Sequence, residues 1–179
     1  MTGSTFQKFI SLSLEEKILN GGSAVAFVSV FFPWVGGEWL GGKTIMYSGL
    51  GFFTSFIGIA ILMLHLFILL VTVVPLAGGP DIVSKLRRNA LRLLACILAS
   101  VLTIAVWSVL TKFTFEFSRV EIHFGLYVTM IGSFVATLYG FLLFQEERGS
   151  IHGIVHDSGA KEHSAPPPPS EEPEEYRRR

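Results

Sequence analysis

His65 is the readily ionisable side chain set deepest in an uncharged stretch of this chain: Leu50–Val74 runs 25 residues without Asp, Glu, Lys or Arg. An imidazole in hydrocarbon is costly to leave unpaired, so it marks either a structural hydrogen bond or a working group, a proton relay or a ligand contact. It stands 15 residues from the Leu50 end and nine from the Val74 end, and proportional depths on two later apolar stretches fall near Ser100 and Thr137. A His65–Ser100 or His65–Thr137 hydrogen bond would fix helices against each other at about 1 kcal/mol. In the alternative, His65 and the hydroxyls of Ser100, Thr129, Ser133 and Thr137 line a polar path.

Other residue sets carry weaker chemistry. Lys85, Arg88 and Arg92 share a helical face behind Pro80-Asp81, an N-cap signal, at the depth of lipid phosphates. Contact with an anionic headgroup and ordinary positive-side anchoring both fit. Gly132-x3-Ala136-x3-Gly140 makes a smooth ridge for close helix approach; Ala95 and Ala99 repeat it, and Gly51, Ser55 and Gly58 could form the other half of the contact. Contact within one bundle is expected, a homo-oligomer being the alternative. His152, His156 and His163 with Asp157 suggest a metal, but Gly149, Gly153 and Gly159 oppose the helix that would preform a site. No metal or cofactor is expected. His123, beside Glu121, reads as a wetted boundary residue.

Catalytic and coupling groups are missing from the pattern. The lone Cys96 supplies no exchange pair and no disulfide framework. His65 and His123 fall at different depths, unlike haem ligands. No Asp or Glu lies deep in an apolar stretch to couple protons, and no G-x-S-x-G or Walker sequence occurs. An enzyme is therefore not expected.

The elements that must position these residues follow from the solvent. Of 179 residues, 50% are hydrophobic and only 16% charged, where a soluble domain carries about 25%, so lipid is the expected surroundings. Fourteen basic residues balance fourteen acidic ones, which argues against a nucleic-acid partner. About 20 apolar residues cross the bilayer core, and four stretches qualify: 18–34, 50–74, 93–110 and 124–144. The first is interrupted by Asn20-Gly21-Gly22 but is preceded by Ser13-Leu14-Glu15-Glu16, a capping box in which Ser13 satisfies the Glu16 amide and Glu16 reaches back. An interfacial helix is its alternative. The fold class expected is an all-α membrane protein, a four-helix transmembrane bundle over 13–144 behind a short cytoplasmic or interfacial segment, 1–12.

Eleven Lys and Arg fall on the side of the termini and the middle loop, against three (Lys43, Lys112, Arg119) on the other. Both termini are therefore expected in the cytoplasm. Gly41-Gly42 between Glu38–Leu40 and Lys43–Ile45 signals a two-residue hairpin. Alternation over Lys112–Phe117 and again over Val120, Ile122 and Phe124, with a phase slip near Ser118-Arg119, suggests further strands. The two outer loops could so form a small extracytoplasmic sheet; an interfacial aromatic belt explains the same residues. Residues 145–179, with Pro166–Pro169 and an acidic then basic end, read as a disordered cytoplasmic tail that either docks an aromatic groove on a partner through 166–179 or serves as a spacer.

Phe32-Pro33-Trp34, the Gly-rich loop and Ser48-Gly49-Leu50-Gly51 resemble the corresponding stretch of small bacterial four-span membrane proteins of unknown function. Those proteins carry a Phe/Leu-Pro-Trp ending to the first helix and a Ser-Gly element before the second. The resemblance covers residues 13–74, implies a bacterial inner-membrane location and carries over no functional residue. The expected function is a non-catalytic scaffold or assembly subunit that holds membrane or cytoplasmic proteins. A small transporter or channel subunit built around His65 is the alternative.

Overall fold

A computed structural model describes residues 11–39, 43–51, 53–80, 83–116 and 120–162, with the backbone alone for 149–162, Trp39, Lys43, Lys85 and Leu86. The chain divides into two compact units, Met1–Gln145 and Glu146–Arg179, and the packing below belongs to the first. Among the described residues four helices and three strands follow in the order α1 (Leu14–Ser29), β1 (Pro33–Trp39), β2 (Lys43–Ser48), α2 (Ser55–Leu76), α3 (Lys85–Glu116), β3 (Val120–Ile122) and α4 (Phe124–Glu162).

Among the described residues three segments are long and apolar enough to cross a membrane, Ser55–Leu76, Arg87–Glu116 and Phe124–Arg148, consistent with an integral membrane protein. The first helix, expected to run through 18–34 as a fourth span, has 16 residues and stops at Ser29. That is about 24 Å of helix, short of a bilayer core of about 30 Å. It stops because Pro33 has no amide to continue the ladder and drives the residue before it towards extended backbone. Phe31 and Phe32 turn on the Val28 and Ser29 carbonyls, and the Trp34 indole donates to the Ser29 carbonyl at 3.1 Å, closing the helix end. At the inner end of α2, Gly78 takes φ +88°; Gly79 N donates to Val74 O and Gly78 N to Pro75 O. Those paired bonds, with left-handed glycine, are a Schellman stop.

The loops at one end of the bundle, named its outer end for the side expected from the charges, do form a sheet. β1 is its central strand, antiparallel to β2 with Val35 opposite Tyr47 and Trp39 opposite Lys43. On the other side, antiparallel β3 sets Val35 opposite Ile122 and Gly37 opposite Val120. The Gly41-Gly42 turn and the Ser118-Arg119 slip lie outside the described residues. Of the expected strand over Lys112–Phe117, Lys112–Glu116 is instead the end of α3, with Lys112 Nζ 3.8 Å from Glu116 one turn on, and Phe117 lies outside the described residues. A helix already running gains one backbone bond per added residue without a new nucleus, which favours its continuation here. Trp34 and Val35 are buried against Val30, Ile61, Val106, Leu110 and Leu126. Ile61 and Leu110 lie six residues inside the outer ends of α2 and α3. The base of the sheet thus sinks about 9 Å below those ends, into the step left by short α1.

The helices pack through stripes with alternating steps of three and four. Leu19, Ser23 and Ala26 are buried on α1, with Val30 at its C-cap; Gly58, Ile61, His65, Ile68 and Thr72 on α2; Arg92, Cys96, Ala99, Thr103, Val106 and Leu110 on α3; Leu126, Thr129, Ser133, Ala136, Gly140 and Leu143 on α4. This is the spacing of left-handed bundles. The exposed faces carry the larger apolar residues, among them Leu94, Leu98, Val101 and Ile131. Small and polar inside with large and apolar outside suits a lipid surround.

Beyond Arg148 the α4 backbone stays helical to Glu162, which corrects the expectation of a wholly disordered 145–179. Gln145, Glu146, Glu147 and Arg148 are good helix formers, and extending an existing helix avoids the nucleation cost even past Gly149 and Gly153. The side chains of His152, His156 and Asp157, and all of His163 and 166–179, lie outside what is described.

A buried polar line as candidate functional site

Consecutive helices are neighbours, α1 with α2 and α2 with α3, and α4 returns to pack on α1. A Cβ built on Gly22 would sit 2.9 Å from the Gly132 carbonyl oxygen, and one on Gly132 would sit 2.8 Å from the Gly22 carbonyl and 3.0 Å from Ala26 Cβ. Gly22-x3-Ala26 therefore lies backbone to backbone with Gly132-x3-Ala136. Only glycine permits that approach. The ridge on α4 was expected, but its other half is on α1, in the stretch that reads as an interruption of the first helix. Gly140 faces Leu19, Leu93 and Cys96. Gly58 packs on the Gly49 carbonyl and Gly51 on the Tyr47 ring, so these two glycines of the expected Gly51, Ser55, Gly58 half-contact serve the turn before α2 instead. Ala95 and Ala99 are buried in the bundle.

Two polar links cross the bundle diagonally. At its inner end Arg92 Nη1 lies 3.2 Å from Glu16 Oε1 and joins α3 to α1; Arg88 Nη2 reaches the same oxygen at 3.5 Å. Arg92 is 1% exposed. The expectation that it meets lipid phosphate with Lys85 and Arg88 is corrected: seven residues, about 10 Å, into α3, it has turned inward to the only carboxylate within reach among the described residues. Arg88 remains one-third exposed, and the Lys85 side chain is not described. Half of the capping box forms, with Glu16 N donating to Ser13 Oγ at 3.2 Å, while the Glu16 carboxylate is drawn to the two guanidiniums, a charge-assisted contact stronger than the cap it forgoes.

The second diagonal is His65 Nε2 to Ser133 Oγ, 2.9 Å, joining α2 to α4. The expected partners of His65 pair with each other instead, Ser100 Oγ to Thr137 Oγ1 at 2.8 Å. Thr137 spends its proton on the Ser133 carbonyl at 2.9 Å, so Ser100 is the donor across the helices. The proportional-depth estimate missed by one turn, because α2 begins at Ser55 rather than Leu50 and α4 runs beyond Phe144. Further out, Ser29 Oγ meets Thr129 Oγ1 at 2.7 Å.

Sequence reasoning missed Glu16, Asn20 and Ser23 as a set. Their spacing of four and three puts them on one face of α1, a signal hidden by reading Asn20 as a helix interruption. Asn20 Nδ2 donates to the Glu16 carbonyl at 2.7 Å. Six buried polar atoms have no partner among the described residues: Asn20 Oδ1, Ser23 Oγ, His65 Nδ1, Asn89 Oδ1, Arg92 Nε and Arg92 Nη2. Each costs about 1–3 kcal/mol when left so. Together they approach the stability of a whole domain, about 5–15 kcal/mol. None lies outward of His65, where Trp34 Nε1, Ser29 and Thr129 are all paired.

On the outer sheet, Glu38, Thr44, Met46, Glu121 and His123 border a recess of about 490 Å³. Its floor is Gly36, where a Cβ would strike the His123 ring, and His123 N donates to the Trp34 carbonyl. Among the described residues no group of three or more His, Cys, Asp or Glu could hold a metal ion. The chemistry on offer is therefore hydrogen bonding and a buried charge pair in the bundle. Compared with protein-family models, curated proteins and solved structures, the chain matches none.

Proposed function

We propose that this protein is a non-catalytic integral membrane subunit, a scaffold or assembly component that holds membrane or cytoplasmic partners, with both termini in the cytoplasm of a bacterial inner membrane. The observation that carries this reading is the closed outer end of the bundle. Trp34, Val30, Ile61, Val106, Leu110 and Leu126, each at most 1% exposed, fill the core between the His65 level and the sheet, and a dry apolar plug of this kind opposes a through path. The small-residue ridge is consumed inside the bundle, which leaves large apolar side chains as the surface for lipid or partner helices. Purification in mild detergent from the native membrane, followed by mass spectrometry, tests it. A stoichiometric partner, lost on deleting 145–179, is expected; recovery of the chain alone would overturn the scaffold.

A second reading, a small transporter or channel subunit, is favoured by the unpaired atoms at His65, Ser23 and Arg92. It requires flux in liposomes that changes with His65, and unaltered leakage in His65→Leu would end it. Orientation rests on the Lys and Arg count. Single cysteines at Lys43 and Ser158 are expected to label from outside and inside respectively, and the reverse would invert the topology.

A further inference from the structure

Five of the six unpaired atoms, all but Asn89 Oδ1, are ordered along the bundle. Glu16, Asn20 and Ser23 climb one face of α1 in steps of four and three. Arg92 faces the foot of that climb through Glu16. Ser23 adjoins Gly22, which touches Gly132, and Ser133, next along α4, holds His65; Ser23 Oγ and His65 Nδ1 therefore share one level. Each is wholly buried, as are Arg92 at 1% and Asn20 at 3% exposure.

The hydrogen-bonding characters alternate as well. Arg92 Nε and Nη2 can only donate, Asn20 Oδ1 only accepts, Ser23 Oγ does both, and a neutral His65 Nδ1 does either. No direct bond joins these groups, and buried polar atoms in hydrocarbon have no other solvent to turn to. A molecule that both donates and accepts, and is small enough to lie between packed helices, satisfies the whole row. That molecule is water.

We propose that the inner half of the bundle holds a chain of internal waters, entered at the Glu16–Arg88–Arg92 cluster and ending at His65 beneath the Trp34 plug. Glu16, 15% exposed, and Arg88, 34% exposed, form its mouth. His65 is then reached by water from the Arg88 side of the membrane alone. The inference does not depend on the scaffold reading: a hydrated pocket closed at one end serves a subunit or a gated carrier equally, and its test does not involve a partner.

Cysteine accessibility decides it. In full-length protein carrying Cys96→Ala, in sealed vesicles of each orientation, a silver ion, about the size of a water molecule, reports water at each substituted position, because only a hydrated thiol forms the reactive thiolate. Arg87→Cys and Thr44→Cys, exposed at opposite ends, mark the two sides. Ser23→Cys and His65→Cys are expected to react from the Arg87 side only, at least about tenfold faster than Ile61→Cys and Val106→Cys. Ser23→Cys as unreactive as Ile61→Cys overturns the proposal, as does reaction from the Thr44 side. Should the cysteine variants not elute as folded protein, magnetisation transfer from water to the His65 ring nitrogens in the unaltered chain decides instead; its absence at His65 overturns the proposal.

Discussion

At the outer end of the bundle, Trp34 fills the step above α1, caps the Ser29 carbonyl and packs its ring on Gly49, where a Cβ would come within 2.7 Å. At the inner end the comparable position is held by Arg92, equally buried, with one nitrogen on Glu16 and two with no partner among the described residues. Both ends tie α1 to its neighbours. The outer one does so with apolar contact and a satisfied indole, which keeps its shape at little electrostatic cost. The inner one does so with a charge pair whose geometry leaves hydrogen-bonding capacity over. That is a poor way to gain stability and a usual mark of a working interior. The contrast teaches that closure and chemistry are divided between the two halves of one small core.

That division can be broken most forcefully at the outer end. Trp34→Ala opens a large cavity and uncaps α1, and is expected to destabilise the bundle by about 3–5 kcal/mol, read as a lowered thermal midpoint in detergent. An unchanged midpoint would show that the step is not sealed by the indole. At the inner end, Glu16→Ala leaves Arg92 buried without its carboxylate, at a cost of about 3 kcal/mol, the low end for a buried pair because Glu16 is part-exposed. The double variant Glu16→Leu with Arg92→Met should regain most of that loss, since apolar replacement of a buried pair is often neutral. A double variant as weak as the single one would show that the pair itself holds the helices.

Smaller effects sharpen the comparison. Gly132→Leu forces α4 off α1 at Gly22 and Ala26 and should cost about 1–3 kcal/mol, a loss that Gly51→Leu should not match if the ridge belongs to α1 and α4. Least of all, His65→Leu removes one intramembrane hydrogen bond and should shift stability by about 0.6–1 kcal/mol. A much larger loss would make His65 a structural keystone rather than the closed outer end of a polar line.

The apolar helices, the outer sheet and the closeness of Gly132 and Ala136 to another helix were legible in the chain, because each is written in a local pattern: uncharged length, strand signals around Gly41-Gly42, and small residues every fourth position. The partner of that ridge was not legible. Gly22 looks like a break when read along α1 and becomes a contact only when α4 is laid against it. The site was legible in the same partial way. His65 was singled out by its charge-free surroundings, yet its bond to Ser133 rather than Ser100 or Thr137 depends on where α2 starts, a turn later than hydropathy alone suggests. Arg92 read as a headgroup contact because its distance from the helix start is local information, while its inward turn depends on Glu16, 76 residues away.

By itself, then, the sequence determined the solvent and the segments, since hydropathy and turn chemistry act over a few residues and need no partner. Tertiary structure alone decided that β1 fills the step beyond short α1, that Gly22 meets Gly132, and that the unpaired polar atoms collect on one side of His65. Those outcomes depend on which faces meet and at what height. A backbone approach too close for any Cβ or a shared carboxylate is fixed only when four helices have been packed together.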